Sequence, residues 1–154
     1  MIIWLTGQPG SGKTTLANEF IKKIKQETSS IKIINLDGDD LRSINKNQDY
    51  SKEGRIKNIS TAISIMRFLA NKKYICVVSI VAPYRFLRDE LKTEFPFLEI
   101  YLHTSEERGR EDFFAKDYEE PIDSKHLRID TGKLTIKESL DEILNVYRKM
   151  AAVA

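Results

Sequence analysis

Cysteine is almost missing from this chain: Cys76 is the single one among 154 residues. A lone cysteine closes no internal disulfide, and its place inside an apolar strand predicts an inert core thiol. Long hydrophobic runs are missing too. The longest, Tyr74 to Ala82, is interrupted by Ser79 and is far too short to span a bilayer. No basic segment precedes the first apolar run, so no secretory leader is expected. Neither sign of charge dominates, with 25 Lys and Arg against 23 Asp and Glu and a net charge of +2. That balance gives no support for a nucleic-acid or membrane partner. Repeats, low-complexity tracts and linkers are absent. The expectation is one cytoplasmic domain over residues 1–154, with 41% hydrophobic residues to build a core.

What is present begins almost at once. Gly7-Gln8-Pro9-Gly10-Ser11-Gly12-Lys13-Thr14 fits G-x-x-x-x-G-K-S/T with no mismatch. The apolar run Ile2 to Thr6 before it reads as a buried parallel strand, and Thr15 to Ile21 after it has helical apolar spacing. Glycines let such a loop turn its N–H groups inward, and the helix adds its positive end. Gly7, Gly10, Ser11, Gly12, Lys13, Thr14 and Thr15 are therefore the candidate triphosphate cradle. Lys13 is placed to reach the β- and γ-phosphates and the Thr14 hydroxyl to ligate Mg²⁺. ATP and Mg²⁺ are the expected cofactors.

Strands alternate with helices along the rest, which predicts an α/β three-layer sandwich of the P-loop NTPase type with a five-stranded parallel sheet. Further strands are expected at 31–36, at 74–81 in the sheet centre, at 98–102 and at 127–129. Helices are expected at 14–26, at 52–71, at 84–94 and from Thr135 to about Met150, the last opening with a Thr135/Glu138 capping box. Residues 105–125 are charged and weakly periodic, and read as a mobile excursion over the site. His103 and His126 read as structural or surface residues.

In open parallel sheets ligands sit at the carboxyl ends of strands. Asp37-Gly38-Asp39 falls there and predicts a tight turn aiming two carboxylates inward, one toward Mg²⁺ and one toward an incoming hydroxyl. Arg42, Arg55 and Asn58 suit an anionic acceptor, with Arg55 and Asn58 three apart on one helix face at its boundary with solvent. Tyr50 can stack on a base or simply pack. Pro83-Tyr84-Arg85 and Asp130-Thr131-Gly132 also follow strands.

Taken in order, the phosphate loop, Leu36-Asp37-Gly38-Asp39-Asp40-Leu41-Arg42, Gly54-Arg55-Ile56-Lys57-Asn58-Ile59, Ser79 to Arg85 and Ile129-Asp130-Thr131-Gly132 resemble the adenylylsulfate (APS) kinase family over almost the whole chain. That family uses MgATP to phosphorylate the ribose 3′-hydroxyl of adenosine 5′-phosphosulfate. The resemblance implies Lys13 and Thr14 on ATP and Mg²⁺, Asp37 near the metal and Asp39 near the acceptor hydroxyl. It implies Arg42, Arg55 and Asn58 on the acceptor's diphosphate-like tail, Tyr50 on its base, Pro83 and Tyr84 in the same pocket, and Thr131 and Gly132 on the nucleotide. It also implies a homodimer as a possible state.

The chain departs from the family pattern at 103–125, where the lid is shorter, and at Asp40, which stands for a usual asparagine. Arg110 is taken as the lid arginine and Lys116 as a lid lysine. Phe113 and Phe114 both remain open as the second stacking aromatic. Conserved phosphate chemistry with a rebuilt base clamp suggests a changed acceptor. The favoured expectation is a relative of the capsule-biosynthesis kinases that phosphorylate cytidine diphosphoramidate. The alternatives are a minimal APS kinase, or a nucleotide-binding module without transfer, against which the pair Asp37 and Asp39 argues.

Overall fold

The computed structural model describes residues 1–153. Five strands, β1 (Ile2–Thr6), β2 (Ile33–Asp37), β3 (Ile75–Ser79), β4 (Phe97–His103) and β5 (Leu127–Asp130), form one sheet. All pairs are parallel in the order β2-β3-β1-β4-β5. The alternation of β1 side chains supplies two cores. Ile2 and Trp4 join the cluster under α2 (Gly38–Asn45), α3 (Lys52–Asn71) and α4 (Arg85–Asp89). Ile3 and Leu5 join the cluster under α1 (Lys13–Glu27) and α5 (Ile136–Val153). This is the expected three-layer sandwich, with β1 at the centre and β3 beside it. No helix among the described residues is long and apolar enough to cross a membrane.

Local chemistry sets the element ends. Ser51 caps α3 by accepting from the Gly54 N–H at 3.2 Å. Thr135 and Glu138 exchange their bonds as the capping box predicts, at 2.8 and 3.2 Å. Cys76 is buried in β3, as expected.

Three expectations need correction. The turn expected at Asp37-Gly38-Asp39 is the start of a helix, α2. Asp37 caps it by accepting from the Asp39 and Asp40 N–H groups at 2.9 and 3.4 Å. The helix expected at 84–94 stops at Asp89, because the backbone then tightens into turns linking Lys92 N to Asp89 O and Glu94 N to Leu91 O. The run 74–81 forms a strand only over Ile75–Ser79. Its continuation leaves the sheet through Ala82, a non-glycine residue at φ +42°.

One charged knot holds the segment after β3. Arg88 is fully buried and donates to Glu99 Oε1 at 2.7 Å and to the Ala82 carbonyl at 2.6 Å. Lys92 sits among Asp89, Glu99 and Asp123, with contacts of 2.7 Å to Asp89 and 2.9 Å to Asp123. These three carboxylates converge on an ammonium already in place, so the cluster reads as an ion-pair network.

Candidate active site

The loop after β1 can leave the sheet only through glycine. A Cβ on Gly7, at φ +149°, would lie 2.2 Å from the Leu102 carbonyl oxygen. At the other end Gly12 precedes α1 with no side-chain cap, leaving the first N–H groups of the helix for an anion. The Lys13 ammonium lies inside the loop. It donates to Gly7 O at 3.0 Å, Gln8 O at 2.8 Å and Ser11 Oγ at 3.3 Å. Burial pulls its pKa down from 10.5 to about 7, against the pull of Asp37 and Asp39.

Asp37 joins three elements. Its Oδ2 accepts from the Thr14 hydroxyl at 2.7 Å and from the Ser79 hydroxyl at 2.8 Å, while Oδ1 caps α2. A hydroxyl and a carboxylate in contact at the head of α1 form a hard-oxygen pair of the kind Mg²⁺ prefers.

A cavity of about 370 Å³ runs from this loop to α2 and α3. Lys13, Thr14, Asp37, Asp39, Arg42, Tyr50, Arg55, Asn58 and Pro83 all line it. Arg55 and Asn58 are buried, at 7% and 3% exposure, rather than at the solvent boundary. For Arg55 the reason is the Tyr50 loop, which folds over it. Gly54 makes this possible, since a Cβ there would sit 2.2 Å from the Asp49 carbonyl oxygen. Arg55 holds the loop through the Tyr50 carbonyl at 3.0 Å, and Arg42 holds it through the Asp49 carbonyl at 2.8 Å. The Arg42 guanidinium also lies 4.1 Å from the Tyr50 ring centre. Asn58 Oδ1 is buried without a hydrogen-bond partner among the described residues. Such an acceptor marks a place for a donor from a ligand.

The segment 105–125 is tied down rather than detached. Arg55 reaches it through the Phe113 carbonyl at 2.9 Å, and the Tyr50 and Phe113 rings meet at 5.4 Å. Thr6 Oγ1 and the Tyr118 hydroxyl lie 2.7 Å apart, and Glu119 N donates to Pro83 O at 2.8 Å. Arg88 reaches the Glu119 carbonyl at 2.6 Å.

A second cavity of about 240 Å³ lies behind the loop, between Gly12, Thr15, Leu16, Arg108, Thr131 and the start of α5. Arg108 lines both cavities and bridges Gly10 O at 3.1 Å and Thr131 O at 2.9 Å.

Residues 1–123 match the family model described as Adenylylsulphate kinase. The chain belongs to the adenylylsulphate kinase family. A probable adenylyl-sulfate kinase of Pyrococcus abyssi is 29% identical, over 96% of this chain and 95% of that one. An adenylyl-sulfate kinase of Lactiplantibacillus plantarum is 29% identical, over 94% of this chain and 79% of that one. Among solved structures, APE1195 has 26% identity and a TM-score of 0.78, covering 99% of this chain and 96% of its own. The Mycobacterium tuberculosis APS kinase in complex with AMPPNP and APS has a TM-score of 0.76 over 96% of both chains, and at 20% identity it speaks to the fold.

Members of this family are phosphotransferases that use ATP with Mg²⁺ and act on a hydroxyl group. Against that background the chosen residues divide. Gly10, Gly12, Lys13, Thr14, Thr15, Asp37, Asp39, Arg42, Tyr50, Arg55, Asn58, Pro83 and Arg110 converge on the first cavity, and Thr131 on the second. Phe113 lines the first cavity and Phe114 does not.

Five choices fare differently. Lys116 is exposed and lines neither cavity. Its neighbour Ala115 is the residue drawn against the loop, so the Lys116 side chain faces outward. Tyr84 is buried beneath the cavity wall and stacks on Phe86 at 6.3 Å. Burial first, then Asp117, pushes its phenol up to about 12. Gly132 lines neither cavity, and its absent side chain leaves room for Thr104 Oγ1, 2.7 Å from where a Cβ would stand. Gly7 and Ser11 shape the loop from behind, through Gly7 O and Ser11 Oγ on Lys13. Arg108 is the residue that sequence reading missed. Its signal was a second arginine two residues before Arg110, with equal reach across a short lid.

Proposed function

We propose that this chain transfers the γ-phosphate of MgATP to the ribose 3′-hydroxyl of adenylylsulfate. The observation that carries this reading is one cavity with a phosphate loop at one end and a buried Arg55/Asn58 pair beside Arg42 at the other. The curated relatives named above, both called adenylyl-sulfate kinases, support this acceptor over others.

Roles follow from position. The loop N–H groups and Lys13 hold the triphosphate, and Thr14 and Asp37 would hold Mg²⁺. When bound, the ion supplies charge neutralisation on the phosphates. Asp39, exposed at the cavity edge, orients the acceptor hydroxyl toward the γ-phosphate. Arg42 and Arg55 bind the acceptor's anionic tail, Asn58 takes a hydrogen-bond donor of the acceptor through its unpartnered Oδ1, and Tyr50 with Phe113 contacts its base. Arg108 and Thr131 border the second cavity, which takes the base of ATP. Phosphoryl transfer asks mainly for positioning and charge neutralisation, which this set provides. The ties across 113–119 keep water from competing with the acceptor.

One observation favours a second acceptor, cytidine diphosphoramidate. The Tyr50 and Phe113 rings are 5.4 Å apart. A base sandwiched between them needs about two contact distances, roughly 7 Å. A pyrimidine is no thinner than a purine, but its single ring asks the two side chains to part over a smaller area, which suits the short lid. Acceptor-dependent ADP release with adenylylsulfate and cytidine diphosphoramidate side by side tests the assignment. Preference for adenylylsulfate supports the first reading, preference for the cytidine compound replaces it with the second, and hydrolysis independent of either removes both.

A further inference from the structure

The phosphate-loop motif leaves the identity of residue 8 free, and the Gln8 side chain does not line the cavity. It does something else. Gln8 Nε2 donates to the Ala115 carbonyl at 2.8 Å, and the Ala115 N–H donates to Gln8 Oε1 at 2.9 Å. One side-chain amide thus takes both backbone groups of one lid residue, as a neighbouring strand would. Ala115 is 4% exposed, in a segment that is otherwise mostly open to solvent.

The chemistry of that pairing is narrow. It needs a donor and an acceptor on one planar group at this reach. Glutamate offers acceptors only, asparagine falls a methylene short, and methionine keeps the length without the polar atoms. The backbone of the same residue is engaged on the other side, since Gln8 O accepts from the Lys13 ammonium at 2.8 Å. Two residues before Ala115, Phe113 O accepts from Arg55 at 2.9 Å. Residues 113–115 therefore form a strap across the cavity mouth, tied to the phosphate loop at one end and to the acceptor end at the other.

We propose that Gln8 is a positioning residue for the transfer, fixing this strap in register with the phosphate loop so that Phe113 closes on the acceptor. The kinetic part of this inference rests on the kinase reading above; the tie itself does not.

The test uses the full chain with Gln8→Met and Gln8→Asn. Hydrogen exchange of the ligand-free protein reads the tie. The Ala115 amide should exchange about tenfold faster in both variants, as expected when a paired amide loses its partner. Kinetics read the positioning. Affinity for ATP should stay within about threefold, because the phosphate contacts come from other atoms. Transfer to adenylylsulfate or cytidine diphosphoramidate should fall several-fold, and the share of ATP lost to hydrolysis should rise. Unchanged Ala115 exchange overturns the tie. Faster exchange with unchanged transfer and hydrolysis overturns the positioning role, as does an ATP affinity that falls in step with turnover. A wild type that phosphorylates neither acceptor condemns the functional reading, while the exchange experiment still judges the tie.

Discussion

The two ends of the cavity are built by different means. The phosphate end comes almost entirely from residues 7–15, a contiguous stretch whose backbone N–H groups would do most of the binding, with Asp37 joining it from the end of β2. The acceptor end is assembled from α2, α3, the segment after β3 and the lid, and its working parts are side chains. Arg55 bonds to the carbonyls of Tyr50 and Phe113, and Arg42 to that of Asp49. The same arginines proposed to bind an anion thus also hold the walls of the cavity. The difference teaches where specificity lies. A contiguous backbone cradle recognises any triphosphate, whereas an acceptor end made from four segments changes with each of them.

The comparison breaks most visibly if the acceptor end is undermined from outside. Arg88→Met leaves Glu99 buried beside Lys92 alone, with the pair only 0% and 4% exposed. Loss of one partner of a buried ion pair costs about 3–5 kcal/mol. Urea unfolding should register that loss, and a change under 1 kcal/mol would mean the knot is dispensable.

At the phosphate end Lys13→Ala should lower transfer by roughly 10²-fold or more, the scale of a lost charge-stabilising group. Near-normal turnover would remove Lys13 from the chemistry. If Asp39 orients the acceptor hydroxyl as proposed, Asp39→Asn should lower turnover by about tenfold and leave ATP affinity nearly unchanged. Loss of ATP binding in this variant, followed by fluorescence titration, would move Asp39 to the phosphate end. Phe113→Ala should raise the KM for the acceptor several-fold and leave that for ATP alone, the scale of one aromatic contact.

The smallest effect sharpens the electrostatics. The folded protein holds the Lys13 pKa at about 7, below its ordinary 10.5. Its cost to stability is therefore full below pH 7 and is relieved as pH rises from 7 toward 10.5. A triphosphate favours the charged ammonium, so ATP binding at pH 8 should take up about one proton, and at pH 6 almost none. Titration calorimetry in buffers of different ionisation enthalpy measures this uptake. Equal uptake at both pH values would contradict a Lys13 pKa near 7.

Legibility followed the same division. The strand, loop and helix around residues 7–15 were readable because strong local constraints coincide there. So were the sheet, from its apolar runs, and the Thr135/Glu138 cap. Helix α2 escaped because Asp37-Gly38-Asp39 reads equally as a turn, and only the fold shows the Asp37 carboxylate turned onto its own backbone. Burial of Arg55 escaped because it depends on the Tyr50 loop folding back across Gly54, and a single glycine inside a helical pattern does not announce the loop that crosses it. The lid was least legible. Its ties run from Gln8, Thr6, Arg55 and Arg88, each far away in sequence, to lid residues that carry no periodic pattern. Arg108 and Arg110 were indistinguishable in sequence, and only Arg108 stands between the two cavities.

The most direct test of the central claim is the phosphorus spectrum of the product formed from MgATP and adenylylsulfate. The account predicts a new phosphomonoester on the ribose 3′-hydroxyl, formed in step with ADP. Inorganic phosphate as the sole new species, or phosphorylation at the 5′ tail, would contradict it.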